Sequence, residues 1–181
     1  MNRRLVVLGT YHRLQGALNR TAGPKNIDDP SYGVLVRFLL DQFSLDWIFE
    51  EASECGPTTA KAIADDRSVE YSDVDPNEDH RAQHGIQPIS GDVYDIYKPS
   101  DPDSPGRGDI YEEYLRSQVG REEYWIERIK EKSFANGLII VGYLHALSVA
   151  VRLESAGFHV TKVLVYSPGL KLAKSWLSDV K

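Results

Sequence analysis

The chain has 181 residues, of which 41% are hydrophobic and 27% are charged, values that are ordinary for a globular protein. Its single cysteine, Cys55, excludes an internal disulfide and any multi-cysteine metal site. The net charge of −6 argues against nucleic-acid binding, because phosphate contacts need a concentrated basic face. No stretch approaches the ~20 apolar residues of a membrane span, and the start of the chain lacks the apolar length and cleavage site of a signal peptide. We therefore expect a cytoplasmic protein.

Short apolar runs alternate with helical patterns along the whole chain. In order, the pattern predicts a strand at 5–8, a helix from about 29, a strand at 46–51, a short helix after Gly56-Pro57, a strand at 69–74, a helix over about 109–132, a strand at 138–141, a helix at 145–156 and a strand at 160–166. Residues 85–108 hold four of the nine prolines and predict a loop or lid. This alternation indicates one α/β domain over 1–181 with a largely covered sheet.

Two of the predicted helices have patterned apolar faces. In the first helix we expect a core-facing set formed by Val34, Val36, Phe38, Leu39, Leu40 and Phe43. In the long helix a stripe with spacings of three and four comprises Tyr111, Leu115, Gln118, Glu122, Trp125 and Ile129. Both faces are therefore expected to pack against the sheet.

One pattern occurs twice: four apolar residues, a glycine, two further residues and a histidine. Its copies are LVVLGTYH at 5–12 and LIIVGYLH at 138–145. Glycine permits a sharp turn at the strand end, and each histidine then stands at the sheet edge where α/β proteins bind ligands. On neighbouring strands, His12 and His145 would meet at one site, with binding residues at Gly9, Tyr11, Gly142 and Tyr143. Alternatively, each histidine merely caps or packs at a helix start.

Carboxylates and one arginine accompany these histidines. Glu50 and Glu51 end a predicted strand, so one is expected to face the site and the other solvent, because successive strand residues point to opposite faces. Glu122 lies on the apolar stripe of the long helix, where an unpaired charge is costly. Arg121 beside it either forms a structural ion pair or binds a substrate anion or developing oxyanion.

A second acidic region follows the third predicted strand. Asp75 ends that strand and is a candidate ligand, although positions six and twelve of the surrounding segment do not fit a calcium loop. His80 and His84 follow at helical spacing, which favours exposed polar residues but also permits a metal pair. The sequence contains no nucleophile elbow, phosphate loop or dinucleotide fingerprint.

As a set, these motifs resemble the superfamily that joins the TraB pheromone-shutdown proteins, the Tiki proteases, the ChaN haem-binding lipoproteins and the erythromycin esterases. The resemblance comprises the early and late glycine-x-x-histidine elements, a glutamate after the next apolar strand, and Arg121 in the segment REEYW. It implies an α/β core with a central mixed sheet. It also implies peptidase, esterase or ligand-binding activity, since the members differ in what they do.

From the residues and the resemblance together we expect a hydrolase of an ester, amide or phosphoester bond, acting on a small molecule or a peptide. His12, Glu50 and His145 would hold a divalent ion such as manganese, zinc or cobalt, which lowers the pKa of a bound water. Glu51 or Asp75 would assist, and Arg121 would bind the anionic group. Three alternatives remain open: an esterase with a histidine base and no metal, a binding module of the same fold without turnover, and a structural protein whose twin motifs only shape the fold.

Overall fold

The computed structural model describes residues 3–10, 30–52, 58–86 and 107–166, with the backbone alone for Pro30 and residues 107–115. Residues Tyr11 and His12, Cys55 and most of the predicted 85–108 loop lie outside this part of the chain. The predictions made for them therefore stay predictions.

A five-stranded sheet forms the centre of the described structure. Its strands are β1 (Arg4–Thr10), β2 (Trp47–Glu50), β3 (Glu70–Asp73), β4 (Asn136–Gly142) and β5 (His159–Val165), in the order β3-β2-β4-β1-β5. The predicted α/β fold with a covered sheet is confirmed. All four described pairings are parallel, so the described part of the sheet is not of the mixed kind that the resemblance implies. The described connections carry helices that return the chain to the starting edge, which keeps neighbouring strands parallel.

Five described helices connect these strands: α1 (Pro30–Phe43), α2 (Thr59–Arg67), α3 (Glu78–His84), α4 (Arg107–Lys130) and α5 (Ala146–Ser155). The hydroxyl of Thr58 accepts a hydrogen bond from the Lys61 amide and so caps α2 at its amino end. Asn77 caps α3 in the same way through the His80 amide. None of the helices in the described ranges is both long and apolar enough to cross a membrane.

The sheet has a hydrophobic core on each of its two faces. One core lies beneath α1 and α2 and includes Val6, Ile48 and Ile140 from the strands. The other lies beneath α4 and α5 and includes Val7, Phe49 and other alternating strand positions. The alternation follows from the period of two in a strand, which sends successive side chains to opposite faces.

The apolar face predicted for α1 is partly wrong. Val34 is 67% exposed and Phe38 is 37% exposed, whereas Tyr32 and Leu35 are buried with Val36, Leu39 and Leu40, and Phe43 is partly buried. The reason is the helical period, because Tyr32, Leu35 and Leu39 follow one stripe and Val34 with Phe38 follow another. The apolar residues of α1 are too many for one stripe, so two of them face outward.

Helix α4 runs antiparallel to the strands and passes both edges of the sheet. At the amino edge, the Arg3 guanidinium donates to the Lys130 carbonyl oxygen at 3.1 Å. At the carboxyl edge, Arg121 binds Glu51 at the end of β2. A rise of about 1.5 Å per residue therefore carries the part of α4 before Arg121 beyond the carboxyl edge. This overhang lies over the region where the strand ends present their polar residues.

Candidate functional site

The two glycine-x-x-histidine strands are neighbours in the sheet, as the repeated pattern predicts. Strand β1 pairs with β4, and Thr10 is the register partner of Gly142. The Tyr143 amide donates to the Thr10 carbonyl oxygen at 2.9 Å, and the His145 amide donates to the Gly142 carbonyl oxygen at 2.8 Å. These bonds fix the turn that carries His145 against the end of β1.

Gly9 has a different role from the one its motif predicts. Neither Gly9 nor Gly142 has a φ in the left-handed region, so a left-handed backbone is not what requires glycine at either position. A Cβ atom at Gly9 would lie 2.7 Å from the Ala146 Cβ and 3.1 Å from the Tyr143 Cα. Glycine is needed at this position because the first turn of α5 packs directly on the backbone of β1.

His145 is held by a buried carboxylate. The Glu122 Oε1 atom lies 2.7 Å from the His145 Nδ1, and the His145 side chain is 10% exposed. Burial alone would raise the pKa of Glu122, but hydrogen bonds from His145, Ser148 and Arg152 outweigh it and lower the pKa. Glu122 is therefore an ionised acceptor, and Nδ1 must carry the proton that it receives. The other ring nitrogen, Nε2, has no hydrogen-bond partner among the described residues.

The charge of Glu122, which the sequence places on an inner stripe, is fully satisfied by α5. The Ser148 hydroxyl donates to Oε1 at 2.6 Å, and the Arg152 Nε donates to Oε2 at 2.9 Å. His145, Ser148 and Arg152 follow at spacings of three and four, so they share one face of α5. The sequence reasoning missed Ser148 and Arg152, although polar residues recurring at this spacing on a mostly apolar helix are a readable signal.

Arg121 lies between two carboxylates. Its Nη2 donates to Glu51 Oε1 at 2.6 Å and to Asp75 Oδ1 at 2.9 Å, and its Nε reaches Asp75 Oδ1 at 3.2 Å. Burial alone would lower the pKa of Arg121, but the charges of Glu51 and Asp75 outweigh it and raise the pKa. Of the two roles that the sequence leaves open for Arg121, the geometry favours the structural ion pair.

Asp75 and Glu51 are themselves tied to other parts of the site. The Asp75 carboxylate also accepts from the Trp125 indole at 3.1 Å and from Arg81 at 2.6 Å. The second oxygen of Glu51 accepts from the Gly142 amide at 2.7 Å. The negative charges of Glu51 and Asp75 balance the positive charges of Arg81 and Arg121 in this cluster. The cluster fastens β2, β3 and β4 to α4.

Trp125 joins this ion-pair cluster to the histidine. Its indole N–H binds Asp75, and its ring meets the His145 imidazole edge to face with centroids 5.1 Å apart. The ring is fully buried and therefore holds one side of the imidazole in place. Although Trp125 belongs to the predicted apolar stripe, the sequence gives no sign of its contact with His145.

Glu50 lies in a separate cluster on the other face of the sheet. Its Oε2 atom accepts from the Thr58 hydroxyl at 2.5 Å and from the Tyr71 hydroxyl at 2.8 Å. Burial raises the pKa of Glu50 to about 7, although both hydrogen bonds act to lower it. Within the described residues, Oε1 has no hydrogen-bond partner, and the same holds for the buried hydroxyls of Thr10 and Tyr32.

The prediction that either Glu50 or Glu51 faces solvent is wrong. The two residues are 0% and 2% exposed, because Glu50 is covered on the α1 and α2 side and Glu51 on the α4 side. The strand alternation was right, but both faces of the sheet are covered at this point. Each face supplies its own polar partners, which come from distant parts of the chain.

Of the predicted site residues, the structure brings together Glu51, Asp75, Arg121, Glu122, Gly142 and His145 on the α4 side. Tyr143 lies beside them and is 37% exposed. Glu50 is not part of this set. Among the described residues, no group of three or more His, Cys, Asp or Glu side chains could hold a metal ion.

Two further features are not members of this set. On α3, the His80 and His84 rings stack with centroids 4.1 Å apart, which matches the predicted helical spacing. A cavity of about 480 Å³ opens at the amino edge of the sheet, and its lining includes Arg4, Gln42 and Asn136 but no acid, histidine or cysteine. The cavity adds no reactive group to the carboxyl edge, and the histidine pair shares α3 with Arg81, which binds Asp75 there.

Comparison of the chain with protein families, curated proteins and solved structures gave no match.

Proposed function

We propose that this protein is a hydrolase in which His145 acts as the general base toward water. The observation that carries the proposal is the 2.7 Å contact between Glu122 Oε1 and His145 Nδ1, which leaves Nε2 as the basic nitrogen. A histidine that is oriented by a carboxylate is the arrangement that general-base catalysis requires. The bond attacked is an ester, amide or phosphoester, as the sequence suggests.

In this proposal the proton moves at one defined atom. Water donates to His145 Nε2 and loses its proton to that nitrogen as its oxygen attacks the substrate. The imidazolium that forms is stabilised by the Glu122 carboxylate, which Arg152 and Ser148 hold in place. The proton then passes from Nε2 to the leaving group.

Arg121 takes a positioning role in this proposal. Its charge is already neutralised by Glu51 and Asp75, so it has little left to attract a substrate anion. It fixes α4 at the carboxyl edge, and with it the backbone that carries Glu122. We therefore assign Arg121 to the support of the histidine rather than to substrate binding.

The described residues do not fit the predicted metal centre. Glu50 packs on the α1 and α2 side, and His145 packs on the α4 and α5 side. The third predicted ligand, His12, lies outside the described residues. No step is therefore routed through manganese, zinc or cobalt, and metal-assisted hydrolysis stays a prediction that the experiment below also tests.

The test is hydrolysis of p-nitrophenyl acetate, a p-nitroanilide and bis(p-nitrophenyl) phosphate by the wild type, His145→Gln and Glu122→Gln. His159→Gln is the matched control, because His159 is exposed at the start of β5. We expect His145→Gln to lower kcat/KM on the active substrate by about 10²- to 10⁴-fold, with a smaller loss for Glu122→Gln and none for the control.

Two further measurements decide between the metal-free hydrolase, the metal-assisted hydrolase and the binding module. Treatment with a chelator should leave the rate unchanged if His145 acts without a metal, whereas loss with recovery in manganese would support the metal-assisted reaction. If the wild type hydrolyses no ester, open-chain or cyclic amide, or phosphoester substrate with or without added metals, the proposed function is wrong and the binding module takes its place.

A further inference from the structure

Gln118 is a buried side chain of α4 with unsatisfied polar atoms. It is 7% exposed, and neither its Oε1 nor its Nε2 has a hydrogen-bond partner within the described part of the chain. A buried amide without partners costs about 1–3 kcal/mol, and natural proteins rarely leave one without a reason. Gln118 therefore needs an explanation beyond packing.

The position of Gln118 places it beside the His145 site. It precedes Arg121 by three residues and Glu122 by four, so all three share the inner face of α4. Because Arg121 marks the carboxyl edge of the sheet and α4 runs antiparallel to the strands, Gln118 lies roughly 4–5 Å beyond that edge. Gln118 is therefore one helical turn before Glu122, the carboxylate that binds His145.

The chemistry of the amide defines what would satisfy it. Nε2 is a donor and Oε1 an acceptor, and the two lie in one plane a short distance apart. The complementary group presents an acceptor and a donor on one edge, as a cis amide does. A simple ester or a phosphodiester offers acceptors alone and would leave Oε1 unpaired.

We propose that Gln118 is a substrate-binding residue that pairs with the cis-amide edge of a primary carboxamide, a lactam or a cyclic imide. This inference deepens the proposed function by naming the substrate class of the same site. Its test measures binding rather than turnover, so that the two proposals can fail separately.

The experiment titrates the full-length protein with δ-valerolactam and with N-methyl-δ-valerolactam, which differ only in the N–H group. Binding is followed by isothermal titration calorimetry or by side-chain amide NMR. We expect the wild type to bind δ-valerolactam about tenfold or more tightly than its N-methyl derivative, because the methyl compound leaves Oε1 unpaired.

Gln118→Met is the informative variant, because it keeps the shape of the side chain and removes both polar atoms. It should lose the preference for δ-valerolactam, while its melting temperature stays equal or rises since an unsatisfied amide has been removed. Gln42→Met, an exposed change on α1, is the control and should keep the wild-type preference.

Three results would overturn the inference: no binding of δ-valerolactam by the wild type, equal binding of the two lactams, or a preference that survives in Gln118→Met. The comparison of lactams in the wild type needs no variant and stands even if Gln118→Met does not fold. A lactam preference in a protein that hydrolyses neither those substrates nor δ-valerolactam itself would reject the proposed hydrolase and keep this binding site.

Discussion

Replacing Glu50 with glutamine should stabilise the protein at alkaline pH and change it little at acidic pH. Burial raises the pKa of this carboxyl from 4.5 to about 7. The folded protein therefore holds a proton that the unfolded chain releases. The contribution of Glu50 to stability is fully present below pH 4.5 and is lost as the pH rises through 7. Glutamine is neutral throughout and removes this dependence.

The magnitude follows from the size of the shift. At about 1.4 kcal/mol per pKa unit, a change from 4.5 to about 7 corresponds to roughly 3 kcal/mol. Most of this falls between pH 5 and pH 8.5, so the advantage of Glu50→Gln over the wild type should grow by about 2–3 kcal/mol across that range. Thr58 and Tyr71 can still donate to the amide oxygen, so the hydrogen bonds at Oε2 are kept.

The assay is reversible urea denaturation of both proteins at pH 5 and pH 8.5. Glu51→Gln is the matched control, because Glu51 is the neighbouring glutamate on the opposite face and pairs with Arg121. Removing one partner of this buried ion pair should destabilise the protein by up to about 3–5 kcal/mol. An advantage of Glu50→Gln that does not grow with pH would refute the reasoning that burial keeps this carboxyl protonated.

Two further substitutions test packing and charge at the same edge. Gly9→Ala should lower the free energy of unfolding by about 1–3 kcal/mol, because its Cβ would overlap the Ala146 Cβ, whereas Gly33→Ala meets only ordinary contacts. Equal stability of these two variants in urea would contradict the close approach of α5 to β1. Asp75→Asn removes the carboxylate that pairs with Arg121 and should cost about 3–5 kcal/mol. A loss below about 1 kcal/mol, measured by the same denaturation, would show that the ion-pair cluster does not fasten the edge.

The sequence predicts the framework of the site better than its chemistry. The repeated glycine-x-x-histidine pattern predicts strands that turn out to be neighbours, because apolar runs and their order limit how a parallel sheet can form. Glu122 is recognisable as an inner charge from its place on an apolar stripe. These features depend on local periodicity, which a single chain displays directly.

The partners of each charge are harder to predict, since they come from distant parts of the chain. Glu50 accepts a hydrogen bond from Tyr71 on the neighbouring strand β3, and Glu51 binds Arg121 seventy residues later. Alternation along a strand shows that neighbouring glutamates face opposite ways, but it does not show that both faces are covered. Glu50 and His145 lie on opposite faces of the sheet for the same reason, and the residues at the strand ends do not indicate this separation.

The protonation of the His145 ring tests the proposed site most directly. In protein labelled with ¹⁵N-histidine, the imidazole nitrogen shifts of His145 can be assigned by comparison with His145→Gln and read at alkaline pH. We predict a proton on Nδ1, bound to Glu122, and a bare Nε2, with a mixture of the two forms in Glu122→Gln. A ring that carries its proton on Nε2 in the wild type would contradict the proposal that Glu122 binds the Nδ1 proton and leaves Nε2 free to act as the general base.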